Sequence, residues 1–117
     1  MTGYTMDSTL ARGAFHIPAD VAKRIRLVGL DVDGVLTDGG IYLGDVNGAR
    51  MEFKRFDILD GLGIKMLQLA GIDVATITAR VSDAVALRAR ELAITDVIQD
   101  EHARKLPALR KLLAEKG

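Results

Sequence analysis

The sequence predicts an α/β fold in which a β-hairpin is inserted after the first strand of a parallel sheet. Three observations predict it. Short apolar runs alternate with segments of helical periodicity, the pattern of βαβ units. The first run, IRLVGLDV from Ile25 to Val32, is nearly continuous in apolar residues, as suits a strand covered on both faces. Asn47-Gly48 then separates two β-like runs, the strongest short-range hairpin signal.

The elements follow in order. Pro18 suits the first turn of a short helix reaching Arg24. The strand 25–32 leads into a loop, Gly34 to Gly40, and the hairpin occupies 40–56. Asp57 to Ala70 reads as a helix carried by Leu59, Leu62, Ile64, Met66, Leu67 and Leu69; Gly61 and Gly63 weaken its start, and Gly71 stops it. A second buried strand spans 72–78. Ser82 or Asp83 caps a helix to Leu92, and 95–99 is a third strand. A last helix opens at His102 or Ala103, with Leu106, Leu109, Leu112 and Leu113 at helical spacing. The whole reads as one domain, 1–117, with residues 1–17 as a flexible arm and no internal repeat.

Composition excludes several classes. The chain has 117 residues, 49% hydrophobic and 27% charged, a globular rather than disordered profile. Sixteen basic residues balance sixteen acidic ones, so the basic bias of a nucleic-acid binder is missing. There is no cysteine, hence no disulfide framework and no thiolate metal site, which fits the cytoplasm. No apolar run approaches the roughly 18 residues of a membrane span, and the first residues lack a secretion signal.

The chemistry concentrates in LVGLDVDGVLTDGG, Leu27 to Gly40. Residues two apart in a strand face the same way, so Asp31 and Asp33 project together from its C-terminal end, where open α/β sheets bind ligands. Two adjacent carboxylates need a divalent cation, a shared proton or basic partners. Hard oxygens suit Mg²⁺ completed by water and phosphate. Gly34 lets backbone approach a ligand and offers unhindered N–H groups. A single aspartate here would be an ordinary turn residue. The pair, followed by DGxxTDG, is far more specific.

DVDGVLTDG resembles the first motif of the haloacid dehalogenase-like phosphohydrolases. The stretch GGIYLGDVNGARMEFKRFDILDGLGIKMLQLAGIDVATITAR is similar to the small phosphatases acting on 3-deoxy-D-manno-octulosonate 8-phosphate (KDO 8-phosphate). The resemblance, from about Ile25 to Leu113, implies a Rossmann-like parallel sheet in which the hairpin replaces a separate cap domain. It implies a Mg²⁺ cofactor held by Asp31 and Asp33, with Asp31 as nucleophile and Asp33 as general acid/base. Thr78, in ITAR, takes the second-motif role of binding the transferring phosphate, although Ala79 stands where the family more often has glycine. Lys105 takes the third-motif role, with Arg104 as the fallback if the register slips by one. Gly34, Thr78, Arg80 and Lys105 form the substrate-binding set; for Arg80 a solvated surface charge is the equal alternative.

Other residues carry weaker expectations. Asp60 most simply caps a helix, and Asp38 stabilises the loop. Lys54 and Arg55 reach an anionic substrate in a neighbouring subunit or end a strand in solvent. Met51 and Met66 read as packing residues, and His16 and His102 lie outside any ligand-like pattern. The resemblance also implies a homotetramer built through the hairpin, in a Gram-negative cytoplasm making lipopolysaccharide sugars.

The family's fourth motif, an acidic Gly-Asp-Asp-type turn supplying a further metal ligand, has no counterpart before Gly117. The strand that precedes it in the family lies beside the first strand, so 25–32 is expected to form an exposed edge. A fragment of a longer enzyme, an edge covered by a partner, and a short form that binds without catalysing all remain open. A non-catalytic oligomerising module of the same fold is therefore the alternative function. A response-regulator receiver fits poorly, because its acidic pair and phosphoacceptor lie on different strands.

Overall fold

The computed structural model describes residues 16–102 and 104–117. A single turn of helix, α1 (Ala19–Ala22), leads into β1 (Leu27–Leu30). The hairpin β2 (Tyr42–Val46) and β3 (Ala49–Phe53) follows, then α2 (Ile58–Leu69), β4 (Asp73–Thr78), α3 (Asp83–Glu91), β5 (Asp96–Gln99) and α4 (Lys105–Lys116). The three-stranded sheet has the order β1-β4-β5, all parallel, with Val28 opposite Val74 and Thr78 opposite Gln99. The expected α/β architecture with an inserted hairpin is the one observed.

The hairpin turn explains itself locally. Asn47 (φ 53°) and Gly48 (φ 83°) both take positive φ, as a two-residue turn matched to strand twist requires. The Gly48 N–H donates to Asp45 Oδ1 at 2.9 Å and locks that turn. A β-bridge between Thr37 and Phe56 closes the hairpin's root.

The core gathers around the centre of the sheet. Val32, Leu36, Ile64, Val74, Val85, Ala89 and Ile94 are buried together, flanked by Leu30, Phe56, Leu67, Leu92 and Val97. β4 is the central strand and is buried from Val74 to Thr78. β1 is the exposed edge that was expected, and so it is not covered on both faces as its apolar run suggested. Its residues are only half-buried and Gly29 is exposed, because β1 is an edge strand with β4 as its one partner among the described residues.

Strand ends are shorter than the apolar runs, for identifiable reasons. The Ile25 N–H donates to Ala22 O, so Ile25 belongs to the helix exit rather than the strand. The Val32 carbonyl accepts the N–H groups of Val35, Leu36 and Thr37, which turns the chain away from the sheet. Gly71 (φ 82°) ends α2, and the Ile72 N–H closes back on Leu67 O, so β4 starts one residue late.

Several local assignments change. Asp57, not Asp60, caps α2: its Oδ1 accepts the Leu59 N–H at 2.8 Å, while Asp60 lies inside the first turn. Ser82 sits at the start of α3, but its side chain makes no capping bond among the described residues; its N–H donates to Gln99 Oε1 instead. α4 opens at Lys105, later than His102; Ala103 lies outside the described residues, as does the arm up to residue 15. Met51 and Met66 are exposed rather than packed. Gly61, expected to weaken α2, has a packing reason: a Cβ there would stand 2.8 Å from Arg88 Nη2 and 3.1 Å from Leu92 Cδ2. Among the described residues no helix is long and apolar enough to cross a membrane.

Candidate active site

The carboxylate loop is organised by Val32 and Thr37. Val32, fully buried between Asp31 and Asp33, anchors the turn, and its N–H donates to Asp31 Oδ1 at 2.7 Å. Thr37 Oγ1 accepts the N–H of Gly34 at 3.2 Å and of Gly39 at 3.1 Å, folding the loop over itself. Gly34 (φ 80°) is therefore needed for its conformation. Its N–H is engaged by Thr37 rather than free for a ligand, which corrects the expectation. Asp38 does stabilise the loop, accepting the Gly40 N–H at 2.9 Å.

Asp31 and Asp33 meet different partners. Lys105 Nζ, at the start of α4, lies 3.0 Å from Asp31 Oδ2. Arg104 instead pairs with Asp100 at 2.9 Å. Both partners of the Asp31–Lys105 pair are open to solvent, at 41% and 44% side-chain exposure. Partial burial pushes the Asp31 carboxyl up, but the Lys105 hydrogen bond, the Val32 N–H and the lysine charge outweigh it and hold it below the usual value.

Asp33 faces the hairpin. Its Oδ1 lies 2.5 Å from Lys54 Nζ, and its Oδ2 lies 3.8 Å from Arg80 Nε. The Lys54 side chain is 0% exposed and reaches Asp33 of its own chain. A solvent-exposed strand end does not describe it; Arg55, by contrast, is exposed. Thr78 ends β4, is 1% exposed, and its Oγ1 accepts the Arg80 N–H at 3.2 Å. Arg80 also donates through Nη2 to Glu52 Oε2 at 2.9 Å, so it is not merely a solvated surface charge.

Glu52 escaped sequence reading. It is largely buried, and it pairs with Arg80, with Lys54 at 3.5 Å and with Arg50 at 3.1 Å. Burial raises its carboxyl, but the Arg80 hydrogen bond and the charges of Arg80, Lys54 and Arg50 bring it below the usual value. Thr37 was missed too, although it is the threonine of TDG. His102 pairs with Glu101 on an exposed turn and His16 is exposed.

A groove of about 560 Å³ runs beside Asp31 and Lys105, walled by Leu27, Leu30, Ile77, Leu106, Leu109 and Leu113. It is bounded by β1, the end of β4 and α4. For a metal, Asp31 and Asp33 offer hard oxygen donors at the mouth of the sheet. That donor set fits Mg²⁺, which commonly takes one or two carboxylates plus water and phosphate. Among the described residues there is no group of three or more His, Cys, Asp or Glu side chains placed to hold an ion.

No protein-family model matches the sequence. The chain is 45% identical over 100 residues to 3-deoxy-D-manno-octulosonate 8-phosphate phosphatase KdsC of Escherichia coli K12, covering 83% of this chain and 51% of that protein. Among solved structures, it is similar to the 3-deoxy-D-manno-octulosonate 8-phosphate phosphatase of Moraxella catarrhalis in complex with magnesium, phosphate and KDO. That likeness has a TM-score of 0.73 and 43% identity, over 82% of this chain and 53% of the other. The cobalt-bound enzyme of Haemophilus influenzae gives a TM-score of 0.70 and 40% identity, over 81% and 53%. The chain spans about half the length of the curated relatives it matches. Its fold and these likenesses are those of the haloacid dehalogenase-like phosphatases, to which the chain is similar. Within that class its relatives are the KDO 8-phosphate phosphatases.

Proposed function

We propose that this site hydrolyses the phosphate monoester of a sugar acid of the KDO 8-phosphate type, with Mg²⁺ as cofactor. The observation that carries the reading is the meeting of Asp31 with Lys105 at 3.0 Å, beside Asp33, at the C-terminal end of β1. The Asp31 carboxylate attacks phosphorus as the ester P–O bond breaks, and Asp33 delivers a proton to the leaving sugar oxygen. Asp33 then takes a proton from water, whose oxygen attacks the aspartyl-phosphate; inorganic phosphate leaves and Asp31 is restored. Lys105 and Thr78 bind the phosphoryl oxygens as charge builds on them, and Gly34 keeps the loop backbone close. Asp31 and Asp33 would hold Mg²⁺, which supplies a positive charge that draws phosphate to the nucleophile.

Charge balance supports the reading. Asp31, Asp33 and Glu52 are paired with Lys54, Arg80 and Lys105 before anything binds, with the exposed Arg50 a further partner of Glu52 on its outer side. A divalent cation and a phosphate monoester, which carries about −1.5 to −2 at pH 7, therefore enter as a matched pair.

The same reading includes a homo-oligomer, a tetramer, formed through the hairpin in the cytoplasm. Tyr42, Leu43, Val46 and Phe53 leave large apolar side chains exposed on β2 and β3, the kind of surface that oligomers cover. A second reading is an oligomerising module without turnover, favoured by the absence, among the described residues, of a third carboxylate placed with the pair to hold an ion. Phosphate release from KDO 8-phosphate, with and without Mg²⁺ and in Asp31→Asn, separates the two. Turnover that needs both Mg²⁺ and Asp31 supports the enzyme; none at all supports the module.

A further inference from the structure

Glu52 lies on β3 and Lys54 one residue past its end, and the two side chains approach each other at 3.5 Å. Each cation of the inner site touches two carboxylates. Lys54 pairs with Asp33 and Glu52, and Arg80 pairs with the same two. The two bonds of Arg80 are not equal. Its Nη2 makes a charge-assisted hydrogen bond to Glu52 at 2.9 Å, while its Nε stops 3.8 Å from Asp33 Oδ2, beyond hydrogen-bond reach. That Nε is buried and makes no hydrogen bond among the described residues. Buried donors are normally satisfied, so this one calls for an acceptor that the fold itself does not supply.

We infer that Glu52 is a positioning residue: by taking the Nη2 end of Arg80, it holds the guanidinium off Asp33 and keeps the Nε–H for an oxygen of the bound phosphate ester. The inference rests on the phosphatase reading and extends it to a residue of the hairpin. Without the Glu52 charge, the nearest anion to Arg80 is Asp33. The arginine then swings onto Asp33, loses its free donor, and ties up the acid/base carboxylate.

The test uses Glu52→Gln, which keeps shape and removes charge, after far-UV circular dichroism has established folding. In the ligand-free chain, the ¹⁵N resonance of Arg80 Nε–H, assigned with Arg80→Lys, shifts in Glu52→Gln. Affinity for inorganic phosphate in the presence of Mg²⁺ falls about tenfold, the scale of one charge-assisted hydrogen bond. Glu52→Asp, with its charge kept and its reach shortened, gives an intermediate resonance and affinity. In an Arg80→Lys background the Glu52→Gln change costs less than about twofold, because the two residues act as one unit. An unmoved Arg80 resonance in Glu52→Gln overturns the inference, as does the same loss of phosphate affinity in both backgrounds. If Glu52→Gln fails to fold, wild-type values in Glu52→Asp overturn it equally. A chain that binds phosphate but hydrolyses no ester removes the phosphatase reading alone, and the resonance still decides the role of Glu52.

Discussion

The two carboxylates of the site live in different surroundings, although one residue separates them. Asp31 sits at the open end of an edge strand, held by a lysine as exposed as itself. Asp33 is enclosed by the hairpin, against a lysine with no exposed side-chain surface and an arginine fixed by Glu52. The contrast teaches that the two halves serve different ends. On the Asp31 side the charges serve the proposed chemistry at little consequence for stability, since exposed ion pairs contribute little. On the Asp33 side the same kinds of residue also join β3 to the ends of β1 and β4, so chemistry and folding are coupled there.

Breaking each half should expose that difference. The largest effect belongs to Asp31→Asn, which removes the proposed nucleophile and is expected to bring Mg²⁺-dependent phosphate release to background with an unchanged melting temperature. Lys105→Met comes next: kcat falls roughly 100-fold, while stability moves by less than about 1 kcal/mol because the pair is exposed, as read by steady-state kinetics beside urea melts. Lys54→Met reverses the balance. It leaves Asp33 and Glu52 short of a buried partner, and stability drops by about 1–3 kcal/mol, measured by the same melts. A Lys54→Met chain as stable as wild type would erase the distinction between the halves.

The smallest effect is a pH dependence. The Glu52 carboxyl lies below its ordinary value of 4.5 and that of Asp31 below 3.8. A depressed carboxylate binds fewer protons folded than unfolded, so its contribution is full above the unfolded value and is lost as pH falls through the folded one. Thermal melts of the metal-free chain should therefore fall as pH drops below about 4.5. Glu52→Gln flattens that slope more than Lys105→Met does, since the Asp31 pair is screened by solvent.

Much of the proposed site was legible because its residues lie in short contiguous motifs that resemble those of a known family. Asp31 and Asp33 stand out as a pair, and Lys105 was placed by the leucines that follow it. Thr78 and Arg80 were found as part of ITAR at a strand end. Glu52 was not, because ARMEFKR reads as an ordinary strand of alternating charge, and its partner Arg80 lies 28 residues away. Lys54 was noticed but misplaced: sequence cannot tell that the strand's root turns inward and buries its ammonium group. The same limit shortened the strands. Apolar runs mark what is buried, while the hydrogen bonds of Ile25, Val32 and Ile72, which decide where each strand ends, go to helix exits and turns.

The central claim is that the Asp31 carboxylate carries the phosphoryl group. The direct measurement is a rapid acid quench of the chain with Mg²⁺ and KDO 8-phosphate, followed by borohydride reduction and peptide mass mapping. The account predicts a reduced acyl group at position 31 alone, missing when Mg²⁺ is withheld. Phosphate release with an unmodified Asp31, or with the label on Asp33, would contradict it.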